Sequence, residues 1–155
     1  MKQQFELLRA TRNNLLVELE SNSAEDLFHI PESFNNHILW HIIHVLVSQQ
    51  VLCYLLSQNP PRISMEMIGR FKNGTKPTGE VDAALIEFAR THLLKTVDQL
   101  EADYEQGLFK TYSPRDLSYG FRLECIEDGI CYNNTHEAMH YGQLKMIKKA
   151  IHKSD

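Results

Sequence analysis

Cysteine is scarce in this chain and never falls in a C-x-x-C pair; Cys53, Cys125 and Cys131 are an odd three. That argues against a disulfide framework and reads as buried thiols in a reducing compartment, with the cytoplasm as the expected location. Glycine and proline are few, seven and five, and gather in a few places, so low-complexity architectures are excluded. No internal repeat of solenoid length occurs, and no segment shows sustained period-two alternation. A basic track is also missing. The net charge is −4, and the nearest cluster is Lys145, Lys148, Lys149 and Lys153. Lysines in a helix's last turns complement its dipole, so binding to nucleic acid is not expected. The first residues carry charges inside their apolar pattern and read as neither a signal peptide nor a membrane anchor. The longest apolar run, 38–56, is broken by His41, His44, Ser48, Gln49 and Gln50. It reads as a buried helix and not as a membrane span.

What the chain does have is helical pattern. Its 155 residues suit one domain spanning 1–155, long enough to bury a proper core. Phe5, Leu8, Leu15 and Leu19 give a helical stripe over about 2–20, followed by a connector over 24–33. A second helix is expected over 35–58, stopped by Asn59-Pro60-Pro61. A short turn of helix near 65–71 precedes a breaker-rich loop over 72–79. A third helix over 80–105 stacks Val81, Leu85, Phe88 and His92 on one face. After a connector, a fourth covers 121–153 with Gly129 inside it. Four long helices with one extended crossover between the second and third describe an all-α four-helix bundle.

Eight histidines carry the chemistry. His136 and His140 lie one turn apart on the fourth helix, on a face that Gly129, Asn133, Gln143 and Ile147 share. At that spacing both imidazoles reach one ion about 2.0–2.1 Å away. An H-x-x-x-H pair arises easily in a histidine-rich chain, so the pair alone does not make a site. His136-Glu137-x-x-His140 also fits H-E-x-x-H, in which the glutamate is a general base. No further feature of that class accompanies it, and Glu137 falls off the histidine face. On the second helix His37, His41 and His44 share a narrow arc, with Ser48 one turn on. Buried imidazoles need a hydrogen-bond partner or a metal. His41 and His44 are both deep enough to supply a third ligand, whereas His37 is expected near the helix start, partly exposed. His92 reads as a core histidine bonded to a neighbouring side chain, or as a support to the site. His29 and His152 receive no role.

Trp40-His41-Ile42-Ile43-His44, followed by His136-Glu137-Ala138-Met139-His140-Tyr141-Gly142-Gln143-Leu144, resembles the DinB-like family, also called YfiT-like metal-dependent hydrolases. The resemblance covers essentially the whole chain, including the crossover with Gly74-Thr75-Lys76-Pro77. It implies a four-helix bundle in which one histidine of the second helix and the H-x-x-x-H pair bind Zn²⁺, Ni²⁺ or a similar ion. Carried over, the ligands are His44, His136 and His140, with His41 a neighbour.

Three neutral imidazoles leave the ion its full charge and an open position, the layout of catalytic sites. Some relatives are bacillithiol, mycothiol or glutathione S-transferases. The expectation is therefore a metal-dependent transferase joining a low-molecular-weight thiol to an electrophilic small molecule, held near 72–79 and the start of the third helix. Thr135, Asn133 and Gln143 are poor bases, which favours thiol activation. A metal-dependent hydrolase and a non-enzymatic metal-binding or stress-response protein are the alternatives. A homodimer is expected from the resemblance and from the apolar surface of the second helix. Proton competition for the imidazoles, at their reference pKa of about 6.5, predicts metal loss between roughly pH 6 and 5.

Overall fold

The computed structural model describes residues 1–152. Helix α1 (Lys2–Ser21) buries Phe5, Leu8, Arg12, Leu15 and Leu19, alternating spacings of three and four that keep one face inward. In the expected connector the chain forms a short α2 (Ala24–Phe28). The Ser23 side chain accepts the Asp26 amide there, and Glu25 and Asp26 oppose the positive end of the helix dipole.

Helix α3 (Ile38–Gln49) begins where His37 Nδ1 accepts the Trp40 amide at 2.9 Å. It continues as a π-helical stretch, Gln50–Leu55, capped at Leu56, and the chain then turns through Gln58, whose φ is +58°. Helix α4 (Met65–Phe71) sits in the crossover, capped by Ser64. Helix α5 (Ala83–Glu105) starts later than the pattern suggests, because Asp82 caps the Ala84 amide; Val81 is left outside the helix and exposed. The fourth long helix also starts late. Of the residues expected to be helical, Arg122 and Leu123 instead form strand β2, paired antiparallel with β1 (Arg115–Asp116) of the expected connector and turning through Gly120 at φ +85°. Helix α6 (Ile126–Ile151) follows; the expected extension to 153 lies outside the described residues.

The four long helices α1, α3, α5 and α6 make an all-α bundle, with α1 packed on α5 and α6, and α3 packed on α6 and α5. By length and composition Ile38–Leu55 could cross a membrane, yet 83% of it is buried inside the fold. Every residue from 38 to 47 is buried within this one chain. The apolar surface that suggested a dimer is therefore already covered.

The core falls into two apolar clusters. One holds Leu15, Leu19, Val45, Leu46, Leu93 and Leu144. The other holds Phe5, Leu8, Leu52, Val97, Leu100 and Ile130. Between them along each helix lie buried polar residues: Arg12, Gln49, Thr96, and Asn133 with Glu137. Only Cys53 meets the expectation of a buried thiol, because Cys125 is half-buried and Cys131 is exposed on the outer side of α6.

Candidate metal centre

Helices α3 and α6 bring His44, His136 and His140 together, with one ligand nitrogen of each within 4.8 Å of the others. His44 is buried and the other two are half-buried, so the cluster opens towards the α6 side. Among the described residues this group contains no carboxylate or thiol. The Nε2 atoms of His136 and His140 are 3.2 Å apart. Two nitrogens each about 2.0–2.1 Å from one tetrahedral ion would lie about 3.4 Å apart, so the spacing fits a shared cation.

The far side of two rings is already fixed. His44 Nδ1 donates to the Phe71 carbonyl at 2.7 Å, which leaves Nε2 with its lone pair facing inward. Ser48 Oγ lies 3.2 Å from that Nε2. His140 Nδ1 pairs with His41 Nδ1 at 2.8 Å, directing its own Nε2 towards His136. Such outward bonds orient metal-binding imidazoles and set their tautomers. His136 Nδ1 is buried without a partner. Trp40 stacks on His44 at 4.5 Å and 10°, closing one wall. Beyond His136 the rings of Tyr132 and Tyr119 follow at 6.0 and 5.9 Å.

Burial holds these rings neutral. It lowers His136 and His41 to about 4; His140, which also feels His44, His136 and His41, falls to about 2. Burial lowers His44 as well. Neutral imidazole is the form a cation requires.

Glu137 takes no part in the cluster. Its carboxylate is 0% exposed and receives Arg12 Nε at 2.6 Å, Arg12 Nη2 at 2.7 Å and Asn133 Nδ2 at 2.8 Å. Sequence reasoning missed Arg12. His37 does stand at the start of α3 but is buried, not partly exposed, because its ring is the cap and packs against Phe28. His92 donates Nδ1–H to the Phe88 carbonyl at 2.8 Å and stacks on that ring, away from the cluster. Its partner is thus a backbone group of its own helix. His29 and His152 are exposed.

The expected electrophile position is a real concavity of about 690 Å³, bordered by Phe28, Phe71, Thr75, Lys76 and Leu85. None of the three imidazoles lines it, although Phe71 borders it and also holds His44. The sequence matches the family model of the DinB superfamily over residues 7–144. No curated protein matches it.

Proposed function

The chain belongs to the DinB superfamily, and from that premise we propose that it holds a divalent ion, Zn²⁺ or Ni²⁺, on His44, His136 and His140 and transfers a low-molecular-weight thiol to an electrophilic small molecule. The observation that carries the metal assignment is the oriented trio: neutral rings, nitrogens within 4.8 Å, and outward bonds on His44 and His140. When bound, the ion supplies Lewis-acid chemistry, lowering the pKa of a thiol or water that reaches it.

The chain's own residues favour the thiol. Hydrolysis of the H-E-x-x-H kind needs Glu137 as a base, and both of its oxygens are engaged by Arg12 at 2.6 and 2.7 Å. Thiol transfer needs no such base. Trp40 and Phe71 hold the His44 side, while the half-buried His136 and His140 side, approached past Tyr132, admits the reactants. A homodimer accompanies this reading on family resemblance, and sedimentation that finds only monomer at micromolar concentration counts against it.

The test joins metal analysis of protein purified without chelator to conjugation of cysteine or glutathione with chlorodinitrobenzene. Turnover is expected to need metal, to vanish in H44A, H136A and H140A, and to survive replacement of Cys53, Cys125 and Cys131. Ester or amide turnover without conjugation would put a hydrolase in its place. Bound metal with neither activity would leave a metal-binding protein.

A further inference from the structure

Arg12 is 0% exposed and reaches all three of the other long helices. Its guanidinium forks onto Glu137 of α6 at 2.6 and 2.7 Å. It donates to Leu93 O and Thr96 Oγ1 of α5 at 3.1 and 3.3 Å. Val45 O and Gln49 Oε1 of α3 accept at 3.4 Å each. Gln49 completes the layer by donating Nε2–H to Thr96 O at 3.1 Å. This is the polar cross-section that parts the two apolar clusters. Replacing a buried ion pair with apolar residues of similar volume is often neutral or stabilising, so stability alone does not explain the layer.

Its position relative to the histidines does. On α3 the layer's Val45 and Gln49 each follow a site-facing residue, His44 and Ser48, by one. On α6 Glu137 follows His136 by one. One residue is about 100° of helix rotation, so layer and histidines occupy adjacent stripes on the same two helices. A bidentate guanidinium–carboxylate pair accepts few orientations. Ligands of a metal site must be held to about 0.5 Å and 10–20°.

We propose that Arg12 and Glu137 are positioning residues of the three-histidine centre, fixing the rotation of α3 and α6 that sets His44 against His136 and His140; this rests on the metal reading above. The test compares Co²⁺ affinity and the visible Co²⁺ spectrum of wild type, R12M/E137M and E137Q, with urea unfolding midpoints measured alongside. R12M/E137M removes both charges together and is expected to stay folded, its unfolding midpoint lowered by the unpaired Asn133 amide, while Co²⁺ affinity falls at least tenfold and the spectrum changes. E137Q keeps an acceptor but loses the charged fork, and is expected to lose threefold to tenfold. A purely structural role would move the midpoint and leave affinity of the folded protein unchanged. Should the double variant fail to fold, E137Q decides. Affinity within twofold of wild type in the folded variants overturns the proposal and leaves the metal reading standing. Wild type that binds no Co²⁺ removes the metal reading, and this proposal with it.

Discussion

His41 and His44 lie three residues apart on α3, and their outward bonds separate their roles. His44 is held through Nδ1 by Phe71 O, whereas His41 is itself the group holding His140 at 2.8 Å. Removing His44, His136 or His140 leaves two imidazoles, which bind a divalent ion weakly. H44A, H136A and H140A are each expected to lose stoichiometric metal after desalting. H41A keeps the three ligands but frees the His140 ring, so it should still fill at saturating metal with affinity about tenfold to hundredfold lower. Metal analysis and a chelator competition distinguish the two behaviours. An H41A protein without metal beside a metal-loaded H44A would exchange the two assignments. The trio was legible in the sequence as a family pattern, which chose His44; helix geometry alone could not, because His41 and His44 lie on one arc. Arg12 left a quieter signal. It fills the gap between Leu8 and Leu15 in an otherwise apolar stripe, where a charge implies a buried partner. That partner lies 125 residues away, a distance no local pattern spans.

At the scale of elements, the least regular helix meets the closest approach. The π-helical Gln50–Leu55 offers the Leu52 carbonyl to Tyr112 Oη, which donates at 2.9 Å. Helix α6 crosses this point at Gly129, where a Cβ would meet Tyr112 Oη at 2.7 Å and Leu52 O at 3.1 Å. Alanine gains about 1 kcal/mol of helix propensity over glycine. Against that stand a displaced Tyr112 bond, about 1 kcal/mol, and overpacking of about 1–3 kcal/mol. G129A should therefore lower stability by about 1–3 kcal/mol in urea unfolding, and Y112F/G129A should recover part of it. A G129A protein as stable as wild type would show that the contact relaxes freely. The long helices were readable because each spans several turns of apolar period. The hairpin was not, since two residues per strand are too few to alternate. The start of α6 could have been placed better: Glu127 and Asp128 form an acidic first turn, and Asp128 Oδ2 accepts the Glu124 amide at 2.9 Å.

Across the whole molecule, the buried histidines make stability depend on pH in one direction. Burial lowers His37, His41 and His136 from 6.5 to about 4 and His140 to about 2, and it lowers His44 too. The unfolded chain therefore takes up protons first as pH falls below about 6.5. Stability from these groups is complete above that value and is lost as pH falls towards 4, by up to about 1.4 kcal/mol per pH unit for each histidine. Local bonds sharpen the effect. A proton on His37 Nδ1 removes the acceptor that caps α3, and protons on both His41 and His140 break their Nδ1–Nδ1 bond. Metal-free protein should show a flat urea midpoint from pH 8 to about 6.5 and a steep decline below it. Added Zn²⁺ should raise the midpoint at neutral pH by mass action. Because the folded imidazoles resist protonation, that gain should persist below the pH 6 to 5 window set by the reference pKa and fade at about pH 4 to 5. A metal-free midpoint that stays level from pH 7 to 5 would mean the rings are solvated. A Zn²⁺ increment unchanged down to pH 4 would mean that groups other than these histidines hold the ion.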